Sequence, residues 1–164
     1  MFIAKLLTLL AVALLTGGWT MSALVMVPAQ ARLPASVYME AAQSNTAFGQ
    51  QYFPVLTVSS ILLLALLLLL NRRQREIRPG FLAAALGLLI VAAAITAATI
   101  LPLNHRIATW SAQSPPDDWQ TTRDAWGDRH RIRTTLALSA FLLLGAGLLG
   151  PKRLSGPIAA RVPH

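Results

Sequence analysis

FPVLTVSSILLLALLLLL, residues Phe53 to Leu70, is the stretch on which the fold turns. It carries no charge, and from Ile61 to Leu70 it is almost unbroken leucine. As an α-helix rising 1.5 Å per residue it would cover about 27 Å, close to the roughly 30 Å hydrocarbon core of a bilayer. Hydrocarbon offers the backbone no hydrogen-bond partners, so a helix that satisfies its own N–H and C=O groups is the expected form. Three more runs qualify: Leu6 to Val27, Phe81 to Leu103, and Thr134 to Gly150. No Asp, Glu, Lys, Arg or His falls inside any of the four. The expected fold class is therefore all-α: an integral membrane four-helix bundle, one domain over residues 1–164, with a short helical outer segment after the first helix and an extended fourth helix.

The composition agrees. The chain is 55% apolar and 12% charged, against about 25% charged in soluble domains. Its formal charge of +8 does not indicate nucleic acid, because the basic residues sit in short clusters beside apolar runs. That placement suits contact with anionic lipid headgroups, so membrane lipids are expected partners and nucleic acid is not. The absence of cysteine removes disulfides, thiolate metal sites, Cys nucleophiles and CxxC redox cycling together. His105, His130 and His164 show no HxxxH or HxxE spacing, and no Gly-rich phosphate loop, GxSxG elbow or dinucleotide fingerprint occurs. No metal and no cofactor is expected.

Orientation follows from short loops. Lys5 precedes the first run, Arg72, Arg73, Arg75 and Arg78 stand against Glu76 between the second and third, and Lys152, Arg153 and Arg161 follow the fourth. These regions should share the cytoplasmic side of the plasma (inner) membrane, with both termini there. The loop Asn104 to Arg133 also holds five arginines, but four aspartates (Asp117, Asp118, Asp124 and Asp128) suggest local pairing. Ala29-Gln30-Ala31 resembles a signal cleavage site. The apolar stretch before it is longer than the 7–15 residues of a usual signal core, so the first run reads as a retained span. Small residues four apart, at Ala83/Gly87, Ala93/Ala97, Ala94/Ala98 and Ala146/Gly150, would allow helices to approach closely. Gly17-Gly18 marks close packing or a kink.

Two outer segments carry the chemistry. After Pro34, suited to a first helical turn, Val37, Ala41, Phe48 and Tyr52 fall near helical spacing. This reads either as a short helix against the outer mouth of the bundle or as a solvated connector ending in an aromatic belt. In the third loop, Ser114-Pro115-Pro116-Asp117-Asp118 resembles a helix start whose aspartates can cap free N–H groups. Trp119, Arg123, Trp126, His130 and Arg133 then follow at spacings of 4, 3, 4 and 3. On a helix they fall within an arc of about 80°. Ala137 and Ala140 continue the stripe with small side chains. Either the stripe is an interfacial belt of aromatic and basic residues, or it turns inward and lines a cavity for which the alanines leave room. Asn104, His105 and Arg106, at the end of the third run, either cap that helix or bring Asn104 to the cavity mouth.

The order Pro102-Leu103-Asn104-xx-Ile107-xx-Trp110, then Trp119-xxx-Arg123-xx-Trp126-xxx-His130-xx-Arg133, resembles the anthrone oxygenase (DUF1772) family of small membrane proteins. Arg32-Leu33-Pro34, Tyr38, Asn45 and Tyr52-Phe53-Pro54 are similar to the same pattern. The resemblance implies oxidation of the central CH2 of an anthrone to a carbonyl by O2, without a cofactor. Such a reaction needs a base near neutrality, a cation for the developing oxyanion and a flat apolar pocket. His130, with an unperturbed pKa of about 6.5, is the natural base. Arg133 or Arg123 would stabilise the anion, Trp110, Trp119 and Trp126 would stack on a flat aromatic small molecule, and Asn104 would orient its carbonyl.

Three functions follow: an oxygenase acting on a flat phenolic carbon acid; a non-catalytic membrane protein binding a lipid, a quinone-like ligand or a partner; and a small transporter or channel. The charge-free spans give the third no evident proton or ion relay.

Overall fold

The computed structural model of the chain describes residues 1–150. The tail cations Lys152, Arg153 and Arg161, and His164, lie outside the described residues. Four helices account for the fold: α1 (Phe2–Gln30), α2 (Ala35–Gln74), α3 (Pro79–Ala108) and α4 (Trp119–Leu149). Each is long and apolar enough to cross a membrane, and no strand forms among the described residues. The protein is a multi-pass membrane protein.

The helices outrun their apolar runs. With 40 residues, α2 extends about 60 Å, roughly twice the hydrocarbon thickness. The outer segment after Pro34 is therefore not a separate short helix. It is continuous with the second span and stands up from it. Pro54 lies inside α2, where it removes one N–H and crowds the Gln50 carbonyl without ending the helix. No Gly-Pro or Asn-Gly pair interrupts Ala35 to Leu70, so nothing else breaks it. The fourth helix likewise begins at Trp119 and runs unbroken into its span. Asp118 occupies its N-cap position but makes no side-chain cap. Its carboxylate pairs instead with Arg106 at the end of α3.

Two prolines reshape the outer halves of α1 and α3. Val27 N–H bonds the Ser22 carbonyl just before Pro28, and Leu101 N–H bonds that of Thr96 just before Pro102. These are π-turns, one residue wider than an α-turn, placed where a proline ring displaces the carbonyl four residues back. They widen the helices at the level of the site.

Below that level the bundle is tightly packed. Val12 and Leu15 of α1, Leu64 and Leu67 of α2, Leu82, Ala85 and Leu89 of α3, and Ala137, Ala140 and Leu144 of α4 form one core. Their three-and-four spacing puts one stripe of each helix inward. A Cβ at Gly147 would lie 3.0 Å from Cβ of Phe81, so glycine is what lets α3 and α4 meet there. The small pairs singled out in the sequence do not make that contact: Ala83, Gly87, Ala94, Ala98 and Ala146 are exposed. At the opposite end from the site, Asn71 donates to the Ile77 carbonyl and accepts from its N–H, at 2.7 and 2.9 Å. This closes the turn from α2 to α3, with Arg75 in the left-handed region (φ 50°), and Lys5 pairs with Glu76 beside it.

Candidate functional site

The face of α4 carrying the aromatic and basic residues turns inward. His130 is 1% exposed and Arg133 8%. The Trp126 ring stacks on the imidazole, with centroids 4.9 Å apart and planes at 20°, and its Nε1–H donates to Asn104 Oδ1 at 2.7 Å. Asn104, on α3, is itself buried, so this bond satisfies a polar group held largely away from solvent.

Arg133 joins three helices. Its Nε–H donates to His130 Nδ1 at 3.0 Å, its Nη1 donates to Thr96 Oγ1 of α3 at 3.1 Å, and its guanidinium lies 4.4 Å from the ring centre of Trp19 on α1. None of these partners is an anion. No ion pair joins Arg133 to an acid among the described residues. A buried cation held only by neutral groups has a strong affinity for an incoming negative charge, because burial without a counter-charge is costly.

The Arg133 bond also fixes the imidazole. A neutral ring that accepts at Nδ1 carries its hydrogen on Nε2. His130 Nε2 is buried and faces the Trp19 backbone, and Trp19 Nε1 is buried with no partner among the described residues. In this arrangement His130 is a hydrogen-bond donor, and the lone pair that would take a proton is occupied.

These groups border a cavity of about 750 Å³. Its walls come from all four helices: Leu14 to Gln30 of α1, Tyr38 to Val58 of α2, Ala93 to Ile107 of α3, and Trp126, His130 and Arg133 of α4. Both π-turns and Pro54 lie in the wall. Gly18 allows Phe53 to fold over α1, since a Cβ there would sit 2.9 Å from the Phe53 ring. Phe53 in turn faces Trp19 at 6.4 Å.

Of the residues singled out in the sequence, Asn104, Trp126, His130 and Arg133 come together at the cavity. Trp110, Trp119 and Arg123 do not line it. They roof it: Trp119 packs on Tyr38 at 5.5 Å, and Trp110 joins the cluster around Tyr38, Met39 and Ile107. Arg123 lies over Trp119 at 5.1 Å and donates to the Ala31 carbonyl at 3.1 Å, just past the end of α1. Gln43 bonds the Ile107 and Trp110 carbonyls at 3.0 and 2.9 Å, tying α2 to the end of α3. A wheel gives direction but not height, and Trp119 stands about 21 Å above Arg133 along the helix. Ala137 and Ala140 leave no hollow either. Both are fully buried in the packed core, and the Ala137 carbonyl receives a hydrogen bond from Thr16 of α1.

Trp19 and Thr96 were not foreseen. Trp19 had a faint signal, as a lone aromatic directly after Gly17-Gly18 in an apolar run. Thr96 had none, because a threonine in a span ordinarily bonds its own helix, as this one also does at the Ala92 carbonyl. No cluster of three or more metal-ligating side chains occurs among the described residues.

The family model for anthrone oxygenase matches residues 45–143, more than half of the chain. The chain belongs to the anthrone oxygenase family. No curated protein and no solved structure matches it. In this anthrone oxygenase family member the matched stretch contains Asn104, Trp126, His130 and Arg133, and also the roof residues Trp110, Trp119 and Arg123. Trp19 and Tyr38, which close the cavity from α1 and the upper part of α2, lie outside it.

Proposed function

We propose that this member of the anthrone oxygenase family binds a flat phenolic carbon acid in the cavity and promotes its oxidation by O2 to a quinone, without a cofactor. One observation carries the reading: Arg133 is a buried cation with no counter-anion among the described residues, in the wall of a cavity bordered by the flat rings of Trp19, Phe53 and Trp126. An anthrone-like ligand becomes such an anion when it loses a proton from its central CH2. The negative charge then spreads over the ring system onto oxygen, where Arg133 and the His130 Nε2–H would stabilise it. The electron-rich anion passes an electron to O2, the two fragments join as a hydroperoxide at the former CH2 carbon, and loss of water leaves C=O. The balance is CH2 + O2 → C=O + H2O, with carbon losing the four electrons that O2 gains. For His130 to accept the first proton, its bond to Arg133 must open as the ligand oxygen takes over the guanidinium.

The test is loss of an anthrone and uptake of O2 by the purified protein in lipid nanodiscs, measured against air oxidation in empty nanodiscs. Turnover clearly above background, lost in His130→Ala, supports the reading. Equal rates in the presence and absence of protein remove it.

A second reading is binding without turnover of a lipid or quinone-like ligand. It is favoured by the engaged Nδ1 of His130, which leaves the resting site without a free base. A ligand that binds but is recovered unchanged would decide for it. The basic residues Lys5, Arg72, Arg73, Arg75 and Arg78, all at the end away from the site, support an orientation with that end, and so both termini, cytoplasmic. The cavity would then open on the opposite side.

A further inference from the structure

We infer that the ligand of this cavity is an amphiphile, a phenolic or quinonoid ring carrying an apolar tail, and that it enters sideways from the bilayer. The inference rests on the reading above for the chemistry of the ring and adds the shape of the molecule and its route.

Three observations converge. The first is length. On α2 alone the wall runs from Tyr38 to Val58, about 30 Å of helix, and the volume lies in the upper part of the 300–1,000 Å³ range of small-molecule sites. Three fused rings would fill only part of such a space.

The second is polarity along that length. The hydrogen-bonding groups, among them Asn104, His130, Arg133 and Thr96 with Asn45, Thr46 and Gln50 of α2, gather in the upper and middle levels. Below Arg133 the wall is Leu14, Leu56, Val58 and Ala93 with one threonine, Thr57. The hydroxyl of Thr57 is already committed to the Phe53 carbonyl at 2.7 Å. A ligand polar at every point would leave its lower end unsatisfied there.

The third is the mouth. The cavity is not sealed. Several of its wall residues are also among the chain's exposed apolar side chains: Leu14, Phe48 and Tyr52 are each 63% exposed, Val58 56% and Leu101 37%. Val58 and Leu14 belong to the charge-free runs that face hydrocarbon, whereas Phe48 and Tyr52 stand just above, where aromatic side chains sit among headgroups. The opening therefore straddles the membrane surface. A ring held at Arg133 would send a tail down and outward between α2 and α3 into the acyl region.

The experiment uses the full chain in nanodiscs and two probes, a bare hydroxyanthraquinone and the same ring bearing a decyl chain that ends in a photoreactive diazirine. Binding of the bare ring is read by quenching of tryptophan fluorescence, and illumination of the tailed probe is followed by mapping of the labelled residues. Labelling concentrated on residues 52–58 and 97–101, reduced tenfold or more by saturating bare ring, is the expected result. Bare ring that binds while the tailed probe labels lipid-facing residues indiscriminately, undiminished by competitor, overturns the amphiphile and spares the ring reading. Absence of quenching by the bare ring together with absence of competition overturns both.

Discussion

Arg133 and His130, three residues apart on α4, share a 3.0 Å hydrogen bond in which the guanidinium donates and the imidazole Nδ1 accepts. The pair leaves a buried positive charge with no anion beside it among the described residues, while the imidazole also faces the Trp19 backbone. One oxyanion in the cavity would supply the missing counter-charge, and the first two predictions below test that dependence.

Arg133→Met should weaken binding of an ionised phenolic ligand, and with it turnover. One charge-assisted hydrogen bond contributes about 1.5–3 kcal/mol, which sets the expected loss at roughly 10- to 150-fold in affinity. Thermal stability should hold or rise, because replacing a buried unpaired ion by an apolar side chain removes a desolvation cost. Ligand titration and a melting curve on the same sample check both; a large drop in stability with unchanged affinity would contradict the assignment.

His130→Asn and His130→Ala separate positioning from proton transfer. Asn offers an oxygen near the place of Nδ1 and can keep Arg133 anchored, whereas Ala cannot. Affinity for the bare ring should stay within about threefold in Asn and fall further in Ala, since the lost hydrogen bond is worth about 1 kcal/mol or more. Oxidation should be lost in both. Steady-state O2 uptake beside equilibrium binding reads the two effects apart.

Trp126→Phe keeps the stacking surface over His130 and removes the N–H that bonds Asn104 at 2.7 Å. Asn104→Ala removes the other partner. Each should cost about 1 kcal/mol of stability, and the double variant should cost less than the sum, because the same bond is lost only once. A double-mutant cycle from chemical or thermal unfolding measures the coupling.

Gly18→Ala places a methyl group 2.9 Å from the Phe53 ring. The ring must swing, and the cavity lies on the side open to it. Ligand affinity should fall several-fold, with a destabilisation of about 1–3 kcal/mol from overpacking. Unchanged affinity would show that Phe53 does not border the occupied volume.

Arg123→Gln tests the roof. The side chain holds the Ala31 carbonyl and covers Trp119, but it does not border the cavity. The melting temperature should drop by a few degrees, consistent with about 1 kcal/mol, while affinity for the bare ring stays within twofold. A tenfold loss of affinity would return Arg123 to the binding surface.

That Trp126, His130 and Arg133 share one face of α4 was readable from spacing alone, because a helix fixes angle by residue count, but whether that face turned inward or lay at the interface was not. The same spacing could not separate Trp119 and Arg123 from them, since residues in one arc sit at different heights. It also could not show that Ala137 and Ala140 are packed against α1, because small residues leave room only if no neighbouring helix takes it.

By itself the sequence determined the four membrane helices and the grouping of the α4 aromatic and basic residues on one face. Each follows from local physics: backbone groups in hydrocarbon must bond within their own helix, and helical periodicity sets a face. Tertiary structure alone decided that Trp19 and Thr96 complete the site and that α2 is one continuous helix reaching past the membrane. It also decided that the hollow opens beside Phe48 and Tyr52 rather than behind the alanines. These depend on how closely helices distant in sequence approach one another, and that distance is set by side chains meeting across the bundle, among them Gly18 beneath Phe53 and Gly147 against Phe81.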